Sequence, residues 1–183
     1  MKINIEEELL QDSLGGLFLA LQRDGLSHLY VKHNEEGLIE LSDEVDVFCV
    51  SCFDHYLDEE EFSNAEFVAY CDAEKSTNSV KKKIEEVFNN FLSFYEQLFE
   101  LNNGVVYLDH FFTEKTDSID LYKKYVIQGL KEMPRIDILF ANLRIYSSFG
   151  FDFTHTICVK NNPEIVMKVK KMVKQCNLFI LPY

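Results

Sequence analysis

The residues most able to do chemistry lie together in one short run, Cys49-Val50-Ser51-Cys52-Phe53-Asp54-His55. Two thiols three residues apart, with an imidazole close behind, offer a donor set for zinc or a redox pair. Both uses make geometric demands. A zinc knuckle needs the backbone to turn between its thiolates, yet Val50 and Ser51 occupy that place instead of Gly or Pro. If 45–53 is a strand, alternation puts Cys49 on one face with Val45 and Val47, and Cys52 on the other with Phe48 and Val50. A structural zinc site also wants a second ligand pair, whereas Cys71, Cys158 and Cys176 stand singly. A redox pair needs thiolate, and the acids that follow would raise the thiol pKa. The cysteines read as packing residues, and no metal or cofactor is expected.

The acids themselves are the second candidate. Asp54, Asp58, Glu59, Glu60, Glu61 and Glu66 form a cluster, with Glu35, Glu36, Asp43 and Glu44 upstream. Carboxylates in pairs bind magnesium or act as acid and base. Consecutive acids on a helix fan out around its axis instead of converging, and the spacing of an EF-hand loop is missing. The cluster reads as a solvated surface that faces a partner.

The histidines are less promising. His28 and His33 fall on opposite faces of a predicted strand. His155-Thr156-Ile157 lacks the His-x-Thr/Ser spacing of a two-histidine phosphoesterase, and no second copy occurs. His110 beside Asp109 is the one acid–base candidate. Lys168, Lys170, Lys171 and Lys174, with Lys160, line the polar face of an amphipathic helix. No phosphate-binding loop, dinucleotide fingerprint, nucleophile elbow or zinc-protease motif is present.

Charge is distributed unevenly. Net charge is −13, but residues 1–79 hold 19 acids against Lys2, Arg23, Lys32 and Lys75, a balance of −15, and the remainder carries +2. Phosphate contacts need Lys and Arg, so direct nucleic-acid binding by the first half is disfavoured. A basic protein partner is favoured by long-range attraction. The acidic N-terminus lacks the pattern of a signal peptide, no apolar run is long enough to cross a bilayer, and five scattered cysteines suit a reducing compartment. A cytoplasmic protein is expected.

These residues must be positioned by elements, and the pattern predicts an α+β fold. Residues 3–14 suggest a short helix. The runs 17–22, 26–33, 38–41 and 45–53 read as an antiparallel meander, with Asp24-Gly25 as a hairpin turn, followed by an acidic helix or loop at 57–65 and a strand at 66–71. Apolar residues at three- and four-residue steps from Val80 to Phe99 predict a long helix ending near Gly104, with Lys81 to Lys83 in its first turn. Beyond it, 104–112 reads as a strand, 117–133 as a helix, 135–148 and 151–160 as strands around Phe149-Gly150, 163–176 as a helix and 178–183 as a strand. That order is β-α-β-β-α-β, a ferredoxin-like unit. The expected division is an acidic β-rich part (1–78), a connecting helix (79–103) and the ferredoxin-like part (104–183), packed together.

The expected function is an acidic protein-binding module of the inhibitor or immunity/antitoxin type. In charge and size only, the chain is similar to toxin-immunity proteins and phage-encoded inhibitors. The alternatives are an enzyme with a site near Asp109 and His110, or a homo-oligomeric structural or regulatory module.

Overall fold

A computed structural model describes residues 17, 19–29, 44–109, 113–131, 136–150, 152–160 and 162–183. Its strands are β1 (Val45–Ser51), β2 (Val106–Asp109), β3 (Thr113–Thr116), β4 (Asp137–Phe140), β5 (Ile145–Ser148), β6 (Thr154–Lys160) and β7 (Phe179–Pro182). Its α-helices with defined bounds are α1 (Glu59–Asn64), α2 (Asn78–Asn102), α3 (Ile119–Leu130) and α4 (Pro163–Gln175), and 3-10 turns occupy Ser27–Leu29 and Tyr70–Lys75. The fold is α+β.

The strands form one antiparallel sheet in the order β3-β2-β4-β5-β6-β1-β7. Alternation along each strand feeds two layers. Phe48, Val50, Val106, Leu108, Ile138, Phe140, Ile145, Ile157 and Val159 pack against α2, α3 and α4. On the other face Tyr107, Leu139, Tyr146 and Cys158 lie in one row and meet Leu17, Ala20, Leu21 and Leu29.

Several sequence expectations are corrected. The run 17–22 is helical where it is described, at 17 and 19–23, and not a strand. Asp24-Gly25 ends that helix instead of turning a hairpin. The Leu26 N–H bonds the Leu21 carbonyl and the Gly25 N–H bonds the Gln22 carbonyl, with Gly25 at φ 72°, the Schellman arrangement. A positive φ at glycine serves a helix stop as readily as a primed turn, so the dipeptide alone does not choose. Residues 27–29 form a 3-10 turn, and 66–71 forms bends leading into another, not a strand. The expected helix at 3–14 and strand at 38–41 lie outside the described residues.

The ferredoxin-like arrangement is also corrected. In such a unit both helices cross between parallel strands with another strand inserted. Here β3 reverses the chain before α3, so β4 returns as the antiparallel neighbour of β2. Of the run 135–148 the described part, 136–148, is a hairpin, because Arg144 takes a left-handed conformation (φ 56°) between β4 and β5. Two units are split, β3–α3–β4 by β2 and β6–α4–β7 by β1, and each inserted strand pairs antiparallel with both of its neighbours. The acidic first part of the chain thus contributes a strand to the interior of the sheet.

α2 begins at Asn78, where the Thr77 hydroxyl accepts the Val80 N–H. Its lysines therefore fall after the first turn, and Lys83 pairs with Glu66. Phe91, Phe94, Tyr95 and Leu98 are fully buried. Burying a side chain of that size contributes about 1.5–3 kcal/mol. The helix stops at Asn103, not Gly104, in the left-handed position (φ 44°). Gly104 serves instead to admit Asn142, whose Nδ2 lies 2.6 Å from where a Cβ would sit.

A buried polar knot lies in the core. The Tyr95 hydroxyl lies 2.7 Å from Ser147 Oγ and 2.8 Å from His155 Nδ1, and Tyr122 OH donates to the Tyr95 carbonyl at 2.8 Å. The His155 ring is stacked between Phe91 and Phe149, both centroids at 4.4 Å. Burial pushes its pKa down from 6.5 to about 3. The unfolded chain therefore takes up a proton near pH 6.5 that the folded protein refuses until about 3. Stability should fall through that window as pH drops, by about 1.4 kcal/mol per unit. Denaturant unfolding between pH 4 and 7 checks this, since His155→Phe keeps the ring stack and should remove that component of the slope. A second expectation concerns Gly129, where an added Cβ would meet the Phe149 ring at 2.6 Å and Ile136 at 3.3 Å. Gly129→Ala should destabilise by about 1–3 kcal/mol in the same assay.

Candidate functional site

β1 carries Cys49 and delivers the chain to the acidic cluster. Cys49 is buried, with its Sγ 3.8 Å from Thr156 Oγ1, and Cys52 packs with the helix-side core that holds Phe48 and Val50. The two sulfurs belong to different faces of the sheet. Burial pushes the Cys52 thiol up to about 12, which keeps it protonated at neutral pH. Among the described residues no group of three or more His, Cys, Asp or Glu is placed to hold a metal ion.

After β1 the chain turns through Asp54 and His55 into α1. Asp58 caps this helix, its Oδ1 accepting the N–H groups of Glu60 at 2.9 Å and Glu61 at 2.8 Å, while Glu61 Oε2 accepts the Asp58 N–H at 3.0 Å. This is a capping box, readable as Asp-x-x-Glu in the sequence. The other oxygen of Glu61 lies 3.0 Å from His55 Nε2, and Asp54 Oδ1 lies 2.6 Å from His55 Nδ1. These two hydrogen bonds, Asp54 first and Glu61 second, raise the His55 pKa above its ordinary value.

The predicted acids thus separate into two groups. Asp54, Asp58, Glu61 and Glu66 are engaged by His55, backbone N–H groups or Lys83. The carboxylates of Glu59 and Glu60 have no hydrogen bond or ion pair among the described residues, and both side chains are exposed at the first turn of α1. Negative charge is favoured there by the helix dipole. Glu44 is exposed just before β1, while Glu35, Glu36 and Asp43 lie outside the described residues.

Exposed aromatics accompany this surface. Tyr56 is 51% exposed and its hydroxyl donates to the Pro182 carbonyl, which sets the turn beside β7. Phe62 in α1 is 40% exposed, and Phe179 and Tyr183 on and after β7 are exposed as well. Charge counting found the acids. The aromatics were not singled out, although their alternation with acids in "HYLDEEEF" was available as a signal.

A second set was not recognisable as a set, although Cys49 and Asp109 stand out in the sequence. Thr113, Asp109, Asp137, Ser148, Thr156 and Cys49 stand at successive register positions across β3, β2, β4, β5, β6 and β1. They share the face that carries the Tyr107–Cys158 row, two residues further along each strand. Thr113 Oγ1 donates to Asp109 Oδ1 at 2.6 Å. Asp109 and Asp137 are directly opposed, an arrangement that like charges disfavour. His110 lies outside the described residues. Only knowledge of strand order could have assembled this row, because its members come from six separate segments.

No known protein family, curated protein or solved structure matches the chain. Among the described residues no helix is long and apolar enough to cross a membrane.

The capping geometry carries an expectation. Asp58→Ala should remove the helical amide signature of residues 59–64 in NMR spectra while leaving global unfolding within about 0.5 kcal/mol, because α1 buries no side chain. Glu59→Gln with Glu60→Gln should leave both unchanged.

Proposed function

We propose that the chain is a protein-binding module whose acidic surface docks on a basic partner, as an inhibitor or an immunity or antitoxin protein would. The observation that carries this reading is α1. It is a six-residue helix with no buried residue, displaying the carboxylates of Glu59 and Glu60, which no described residue engages, together with exposed Phe62. Such a helix adds nothing to the core. An aromatic group among uncompensated acids is the composition of a recognition surface, in which aromatics supply contact area and charges steer encounter. The −15 balance of residues 1–79 would direct a cationic protein toward it. Phosphate-rich ligands are repelled by the same field, so a nucleic-acid-handling partner would be met through its own basic groove.

A second reading draws on the polar row across the sheet, where Asp109 and Asp137 face one another beside Ser148 and Thr156. It would make the chain an enzyme with a site near Asp109, the sequence neighbour of His110.

Affinity capture from the native source discriminates. A partner held by the wild-type chain should be lost or weakened about tenfold or more by Glu59→Lys with Glu60→Lys, and by Tyr56→Ala with Phe62→Ala. Its association rate should fall as salt rises. Capture that survives both double variants would overturn the reading.

A further inference from the structure

We propose that His55 is a pH-operated clasp that holds α1 against the turn following β1. The argument begins with what secures this helix. Six residues are far too few to be helical by propensity alone. None of its residues is buried and Phe62, its one aromatic, is 40% exposed, so apolar packing supplies only part of the difference. What remains is polar: the capping box of Asp58 and Glu61, the Lys83–Glu66 pair beyond the helix, and the contact of His55 with Glu61. Glu61 is the hub, since one oxygen closes the capping box and the other meets the imidazole.

The ring geometry sets the protonation state. Nδ1 faces a carboxylate oxygen at 2.6 Å and Nε2 faces another at 3.0 Å. Carboxylates only accept, so both nitrogens must carry hydrogen, and that form is the imidazolium. A neutral ring has one N–H and must give up one of the two contacts. The ionisable groups facing His55 are Asp54 from its own turn and Glu61 from α1, both anionic, and among the described residues no Lys or Arg pairs with either. Proton loss therefore turns a bridged pair of acids into two carboxylates with one donor between them.

The direction with pH follows. The folded pKa of His55 is raised, so the clasp contributes fully below about 6.5 and is lost as pH rises through the folded value. The inference is independent of what docks on the surface, and it can fail while the proposed function survives.

NMR on the full chain tests it between pH 5.5 and 9. The His55 ring protons should titrate with a midpoint above 6.5, and the amide shifts of Glu60, Glu61 and Phe62 should move with that same midpoint. Hydrogen-exchange protection of these amides, corrected for intrinsic pH dependence, should fall across the step by tenfold for each unit by which the measured pKa exceeds 6.5. In His55→Gln and in Glu61→Gln the step should vanish from the α1 amides, while those of Val50 and Ile157 in the sheet stay protected. A midpoint at or below 6.5 would overturn the clasp. So would α1 amides that ignore the titration, or a step that persists in His55→Gln.

Discussion

β1 hydrogen-bonds β6 on one side and β7 on the other, and the architecture rests on that insertion. β6 and β7 run parallel and are joined through α4, but they never touch as a pair. Among the described residues β7 pairs with the sheet only through β1, at Phe48–Ser51. Withdrawing that strand would leave β7 and the C-terminus without a partner among the described strands. It would also uncover Phe48 and Val50, which help close the core shared with α2 and α4. Pairings such as Val45 with Lys160 and Cys49 with Leu181 join residues more than a hundred apart, so loop closure must precede much of the reward from sheet formation.

The same insertion explains the position of the acidic surface. Because β1 is nearly the last strand at this end, the chain that leaves it at Cys52 emerges at the margin of the sheet. The turn through His55 and the helix α1 are therefore peripheral, tied by Tyr56 to the end of β7. The interior is governed by different rules. There polar groups such as those of Tyr95, Ser147 and His155 meet one another. One region is built by burial and the other by hydrogen bonds exposed to water, and their responses to acid are opposite in sign. Falling pH strains the core at His155 and strengthens the contact at His55.

Elements that declare themselves locally were legible in the sequence. The α2 periodicity predicts a helix within a residue or two of Asn78–Asn102, and Asn162-Pro163 marks the start of α4. Strand alternation was enough to separate Cys49 from Cys52. Short apolar runs were not legible, since 17–22 satisfies a strand or a buried helix equally well. Strand order was out of reach because nothing near β1 encodes β6 and β7 as its neighbours, and the polar row from Thr113 to Cys49 depends on that order. Charge counting located the acidic surface but could not tell Glu59 and Glu60, which no described residue engages, from Asp58 and Glu61, which stabilise the helix that displays them.

Pro182 lies in β7, the terminal strand of the sheet among the described residues. Proline brings no N–H to a ladder, and in a paired strand it sits with its nitrogen turned outward. Its carbonyl already receives the Tyr56 hydroxyl. The backbone at this margin thus has one donor missing and one acceptor capped. An arriving strand meets a short edge with one donor and one acceptor fewer, which weakens templated pairing there. A protein that settles beside β7 gains fewer strand-to-strand hydrogen bonds at Pro182 and depends correspondingly more on side-chain fit and charge.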